Sequence, residues 1–434
     1  MSNPIVIINV STQFAPGAST LQGTGVVVSQ GGTSITPGTK QLITQGSDLT
    51  PLLVNAINIS GIVWASNVVT ATLVSPHGIP VGETVNFTIL GVTPSGYNGT
   101  FAVTATTTNA VTYALATNPG TASIQGSAIA TDEAEDLAAI TTFFAQGATA
   151  PIYILELGAG NPAAGVTALT TYIANNPLTI YSYLVPREWA TEPTFPALVS
   201  AQSGDTACTY FFVTFNESNF AQASAFAGMK AFFGFVEAPT VAATEFSVAA
   251  VQQITLNRNP SAVNKVPPLL YSFLVGVTPY AWTGPQVAQF KSLNLSYADT
   301  GSEGNITNTI LKGGNLGSSL YYNFWWATDW AMINVHVSLA NAVINGSNNT
   351  INPLYYDQPG IDTLQAVAQN TLNAGVTYGL LLGPVTVAAV TFGAYTQANP
   401  SAYAAGTYGG LSCVMTPQNG FTQVVFNLQA TSFA

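Results

Sequence analysis

The sequence predicts an α+β protein of several domains: an α/β middle region, a small inserted all-β domain, and a β-strand arm at each end. Three observations predict it. Residues 58–130 are nearly all Val, Thr, Ile, Ala and turn formers. Strand-like and helix-like stretches alternate through 131–290, the order that builds an α/β layer. Both chain ends read as strands set apart from the rest. At 434 residues there is material for about two to four domains and a large core.

Residues 1–19 form the expected N-terminal arm. Ile5, Val6, Ile7, Ile8 and Val10 make an apolar strand, and "STQFAPGAST" after it reads as an extended Gly/Ser/Pro stretch. Residues 20–57 open the main core, with "GTGVVVSQGG" (23–32) as a short buried strand and turn. The inserted domain, 58–130, is punctuated by "SPHG", "PVGE", "PSGYNG" and "TNPG", which spaces its strands for a sandwich or barrel. Glu83 is its only carboxylate and His77 its only imidazole.

The α/β middle, 131–290, opens with "TDEAEDLAAITTFFAQG". Thr131 can cap a helix there, and Asp132, Glu133, Glu135 and Asp136 crowd the first turn, where the helix dipole favours anions. The expectation is a solvated helix start, with Leu137, Ile140 and Phe144 facing a core and Gly147 closing the helix. "PIYILELGAG", "LTIYSYLVP" and "TYFFVTF" are strands, with a weak helix to about Asn175 after the first.

Residues 291–419 are expected to be a C-terminal α+β domain. "NFWWATDWAMINVHVSLANAVINGS" (323–347) carries a stripe of Trp326, Trp330, Ile333, Val337 and Ile344. In "GIDTLQAVAQNTLNAG" (360–375), Ile361, Leu364, Ala368 and Leu372 point inward and Gly375 stops the helix; β structure is expected from there on. Residues 420–434, "GFTQVVFNLQATSFA", alternate as a strand, with Val424, Phe426 and Leu428 on one face.

Charge is the unusual quantity. Lys, Arg, Asp and Glu make up 6% of the chain, against about 25% in ordinary globular proteins. Residues 1–39 and 363–434 contain none of them. So neutral a surface does little to keep copies apart, which fits a protein covered mostly by copies of itself. A net charge of −11 with seven scattered basic residues argues against nucleic acid. The least polar stretch, 376–395, has Pro384 near its middle and several β-branched residues, which reads as short strands and turns and not as a membrane span. "MSNPIVIINV" lacks the basic region of a signal peptide. Cys208 and Cys413 are far apart and are expected to be buried free thiols.

Catalytic patterns are missing. There is no HExxH, GxSxG, GxxxxGK[ST] or paired-cysteine spacing. Asp329 and His336 lie on roughly one side of the long helix, a weak dyad, and "GGNLGSS" (313–319) reads as turns. No enzyme activity, cofactor or metal is expected.

Four passages carry a family resemblance: "FFAQGATAPIYILELGAG" (143–160), "VPREWATEPTFPAL" (185–198), the run from Asn323 to Gly383, and "YGGLSCVMTPQNGFTQVVFNLQATSFA" (408–434). Together they resemble the tail sheath protein of contractile-tailed bacteriophages, over essentially the whole chain in order. The 58–130 module, through "PSGYNGTFAV", is similar to β modules inserted in many phage structural proteins. The resemblance implies six-fold stacked rings of this chain forming a sleeve around a tail tube. It implies the tube protein, baseplate and tail terminator proteins as partners, a place in the virion, and assembly in the host cytoplasm. It also implies that the sleeve contracts. The terminal arms would add strands to neighbouring subunits, through Ile5, Val6, Ile7, Ile8 and Val10 at one end and Val424, Phe426 and Leu428 at the other. A tube or capsid subunit, or a surface β-adhesin, is the alternative.

Overall fold

The computed structural model describes residues 21–53, 57–77, 81, 84–147, 150–158, 161–242, 244–304, 306–422 and 424. Strands β1 (Gly25–Ser29) and β2 (Thr39–Ile43) come first. Six more follow: β3 (Ile57–Ala65), β4 (Val68–Leu73), β5 (Thr84–Leu90), β6 (Gly99–Thr107), β7 (Ala110–Ala114) and β8 (Ser127–Ala130). Then the texture becomes α/β, with α1 (Thr131–Ala145), β9 (Ile152–Glu156), α2 (Pro162–Asn175), β10 (Ser182–Leu184), α3 (Phe195–Ala201), β11 (Tyr210–Phe215), β12 (Phe232–Val236) and α4 (Ser247–Leu256). The remainder is α5 (Gly284–Ser292), β13 (Leu295–Thr300), β14 (Thr309–Lys312), α6 (Tyr322–Ser347), α7 (Gln358–Thr377), β15 (Thr386–Ala389), α8 (Phe392–Ala398), α9 (Pro400–Ala404) and β16 (Leu411–Val414).

The main sheet has eight strands in the order β14-β13-β12-β11-β10-β1-β9-β2. The six inner strands are parallel, and β14 and β2 close the edges antiparallel. A parallel sheet must be covered on both faces, so its strands read as unbroken apolar runs. "GVVVS", "YFFVTF" and "FFGFV" are buried at every position. One face packs on α1, α4 and α6 through Phe143, Val248 and Trp326, and α7 packs on α6 and extends the same core through Leu372. The other packs on α2, α3 and α5 through Leu169, Phe195 and Phe290. The sheet thus takes strands from three stretches of chain, 20–57, 131–290 and 291–419.

Strands β3 to β8 close into a barrel in the order β3-β4-β7-β6-β5-β8. Its filling includes Ile59, Ile62, Phe87, Tyr97, Val103 and Tyr113. Glu83 lies outside the described residues. Closure pairs Ile57 with Ala128, so the chain enters and leaves the barrel side by side.

Several elements differ from expectation. The start of α1 is not solvated. Glu133 and Asp136 are buried, and Leu137 is exposed. The inward stripe runs Glu133, Asp136, Ile140, Phe143, while Phe144 is half-buried. The physical reason is tertiary: α1 leaves β8 directly and packs against β5, β8, β1 and α4, so its first turn lies between the barrel and the main sheet. The side chains of Thr131 and Asp132 lie outside the described set.

In α6, Trp326, Trp330 and Ile333 are buried, Val337 is half-buried and Ile344 is exposed. A helix of 26 residues is ~39 Å long, whereas the strands beneath it span ~20 Å or less. Its last turns run past the surface it covers. Gly375 does not end α7, which continues to Thr377. A Cβ there would sit 2.8 Å from the Trp330 ring, so this glycine permits close approach of α6 and α7. Beyond α7 the chain is not all β. α8 and α9 form where Tyr356, Phe392 and Tyr403 pack ring against ring, 5.2–5.9 Å between centroids; side-chain packing overrides the β-leaning composition. Cys208 is buried, but Cys413 lies exposed on β16, and both are free thiols.

Two predictions follow from this packing. Joining Asn55 to Thr131 through a short Gly/Ser linker removes the barrel at its neck. The remainder should keep its helical circular dichroism and a single cooperative melt; collapse into an unfolded chain would make the barrel part of the core. Glu133 supplies the second. Burial pushes its carboxyl up to about 7, and its Oε2 has no hydrogen-bond partner among the described residues. A raised folded-state value means that the native state holds this proton more tightly, so the contribution of Glu133 to stability is full below about pH 4.5 and is lost as pH rises through about 7. Glu133→Gln should therefore raise the melting temperature at pH 8 by about 2–4 °C and change it little at pH 4.5. An equal effect at both pH values would contradict this.

Candidate assembly site

In an open parallel sheet, ligands settle in the crevice at the carboxyl ends of the strands. Here that end is filled from within. Glu156, at the end of β9, is buried and accepts from Ser29 Oγ at 2.9 Å, Gly31 N at 2.7 Å, Thr33 N at 3.1 Å, Thr33 Oγ1 at 2.8 Å and Gly158 N at 2.7 Å. Burial pushes its carboxyl up, against the pull of these donors. The carboxylate thereby ties the turn after β1 to the end of β9. Beside it, Gln30 Oε1 accepts from Trp189 Nε1 at 2.8 Å, and Gln30 Nε2 donates to Glu188 at 2.6 Å.

Arg187, just past β10, holds the next stretch. It donates from Nε and Nη2 to the two oxygens of Glu237 at 2.9 and 3.0 Å, and from Nη2 to Glu245 O at 2.7 Å. Its backbone N–H reaches Glu135 at 2.8 Å. Glu245 in turn accepts from Ser247 Oγ and Thr278. Arg187 Nη1 also lies 3.4 Å from Glu135 Oε2, so α1 and the stretches after β12 and before α4 meet on one guanidinium.

Asp329, which shares α6 with His336, lies fully buried and is turned onto the sheet. It accepts from Tyr181 at 2.9 Å, Tyr210 at 2.6 Å and Lys230 Nζ at 3.1 Å. Lys230 also donates to the carbonyls of Asp205 and Ala207 and lies over the Trp325 ring. Burial pushes the Asp329 carboxyl up, opposed by Lys230 and the two hydroxyls. His336 is buried too, and burial lowers its value. At the opposite end of the sheet, a cavity of about 220 Å³ is lined by Leu178, Ile180, Tyr183, Gln202 and Thr209 among others, none charged. These polar clusters join elements to one another; sequence reading missed them because each joins residues more than 40 positions apart in at least one bond.

The surface offers a different kind of site. β15 and β16 form a separate two-stranded antiparallel ribbon. Val387 is buried on its inner side, against α7, while Ser412, Cys413 and Val414 of β16 are exposed, Val414 at 91%. Among the described residues, no strand pairs with the outer edge of β16. An open edge is a template for another strand. Gln418 N still donates to Leu380 O, and beyond it the chain moves away: Gly420 lies against Pro268 and Thr422 O accepts from Tyr271. Val424 is 78% exposed. Ile5, Val6, Ile7, Ile8, Val10, Phe426 and Leu428 lie outside the described residues. No helix among the described residues is long and apolar enough to cross a membrane.

Comparison with known proteins locates this fold. No protein-family model matches the chain, and no curated protein matches it. Among solved structures, a chain of the six-fold symmetrised baseplate of the anti-feeding prophage (AFP) aligns over 100% of both chains, with a TM-score of 0.56 and 14% identity. The sheath tail protein Lin1278 from Listeria innocua aligns over 93% of this chain and 96% of its own, with a TM-score of 0.46 and 8% identity. The protein shares its whole multidomain α+β fold with the AFP chain.

The buried ion pair can be tested directly. Lys230→Met leaves the Asp329 carboxyl buried without its cation, which should cost about 3–5 kcal/mol in denaturant unfolding. Exposed Lys291→Met should stay within about 0.5 kcal/mol. Equal effects would show that the pair does not hold α6 to the sheet.

Proposed function

We propose that this protein is the structural subunit of a contractile tail sheath, polymerising as a helical sleeve around a tail tube and contracting to drive the tube through a host envelope. The observation that carries the reading is the full-length likeness to a chain of a six-fold symmetric prophage baseplate. The near-neutral composition supports it, because a subunit covered by its own copies has little need of repulsive charge. The filled crevice supports a mechanical role over a catalytic one. The partners are further copies of the chain in six-fold rings, the tube protein, and the baseplate and terminator proteins that bound the sleeve. Its place is the virion tail, after assembly in the host cytoplasm. The barrel at 58–130 is a separable decoration of the subunit.

In this reading the terminal arms link subunits by strand addition, in which main-chain hydrogen bonds supply affinity and alternating side chains supply specificity. Ile5, Val6, Ile7, Ile8 and Val10 form one arm, and Val424, Phe426 and Leu428 the other. Each added hydrogen bond contributes about 1 kcal/mol net, and burying a Phe or Leu adds roughly 1.5–3 kcal/mol. Repeated over many subunits, such links can keep a sleeve connected while its rings slide.

Phe426→Pro removes a strand donor and distorts the ladder. This variant, or deletion of 421–434, should give a soluble subunit with near-native circular dichroism that no longer polymerises in sedimentation and electron microscopy. Sleeves of normal length from either variant would place the linkage elsewhere.

A further inference from the structure

We infer that the β15–β16 ribbon can be extended on one side only, at β16, because two glutamines of α7 already occupy the β15 edge as a surrogate strand. The inference rests on the arm-linkage reading and adds its direction and its specificity residues.

The register decides which backbone groups face outward. Thr386 pairs with Val414 and Ala388 with Ser412, and Val390 N donates to Gly410 O at 3.0 Å. Backbone groups alternate in direction along a strand, so the even-numbered residues of β15 bond to β16, and Val385 and Val387 turn theirs away. Those outward groups are taken. Gln369 Nε2 donates to Val385 O at 2.7 Å, and Gln369 Oε1 accepts from Val387 N at 2.8 Å. Gln365 Nε2 donates to Val387 O at 2.7 Å. A primary amide carries the same donor and acceptor as a peptide group, and Gln369 uses both on alternate residues as a neighbouring strand would. Gln365 and Gln369 stand one turn apart on α7 and so act side by side. A third glutamine of the helix, Gln358, accepts from Phe392 N at 2.8 Å.

Among the described residues, β16 has no such cover. By the same alternation, Leu411 and Cys413 point their backbone groups outward, and among the described residues nothing pairs with them. The occupant is the C-terminal strand of a second copy. Its own copy's chain is led off toward Pro268 and Tyr271. The segment is uncharged, as is the whole of 363–434, and it alternates apolar with polar residues, as the half-exposed edge requires. A second edge left open would let arms add at both sides and branch the assembly; the glutamines remove that option.

Cys413 is a natural probe. Single cysteines at Val424, Phe426 and Leu428 are placed in the full chain, sleeves are assembled, and mild oxidation is followed by non-reducing electrophoresis. Residues opposite each other across strands bring Cβ atoms about 4.5–5.5 Å apart, close enough to select a disulfide at the matching position. At least one of the three should give a ladder of covalent oligomers that Cys413→Ser abolishes. With Cys413→Ser and Ala388→Cys on β15, no ladder should form with any of the three arm cysteines, because Gln365, Gln369 and the body of α7 occupy that edge. A ladder through Ala388→Cys with both glutamines intact overturns the one-sided edge and leaves the arm linkage standing. Normal sleeves with no ladder through either strand overturn both.

Discussion

Six parallel strands cannot stand in water on either face, and this constraint orders the rest of the molecule. The central strand β1 comes from the first described stretch of chain and lies between β9 and β10, which come more than a hundred residues later. Everything between β2 and α1 is therefore an excursion that must return to its starting point. The barrel satisfies that condition by pairing its first strand with its last. On the covered side α6 reaches the sheet through Trp326 and Asp329, and α7 packs on α6 and β15.

Charged groups here act as internal fasteners. Glu156, Arg187 and the Lys230–Asp329 pair each join elements distant in sequence, and each is surrounded by hydrogen-bond partners. Buried ions of this kind do little for net stability compared with apolar replacements, but breaking one is costly. The flexible chemistry is then left to the edges, where uncharged strand and backbone hydrogen bonds predominate.

The ribbon at the C-terminal end illustrates how a helix can close one edge of a strand pair with its side chains. Open strand edges are hazards unless covered, charged or bent away. A chain with no charged residue after Asp362 cannot defend an edge with lysine. Side-chain amides from α7 cover one edge by hydrogen bonding instead, which leaves its neighbour free.

By itself the sequence determined the mixed class of the fold, the positions of the apolar strands, the all-β texture of 58–130 and the neutral character of the surface. These are local properties: alternation, run length and composition declare themselves within a dozen residues. The tertiary structure decided what those residues could not. Glu133 and Asp136 looked like a solvated helix start, yet packing against the barrel buries them. Ile344 belonged to an apolar stripe, yet α6 outruns its support. Gly375 looked like a stop and serves as a point of close approach to Trp330. Asp329, near His336 on the helix, found Lys230 and two tyrosines across the sheet. Gln365 and Gln369 read as the polar face of a helix; only the arrival of β15 beside them made them a strand edge, because a glutamine's role is set by the backbone it meets and not by its place in the chain.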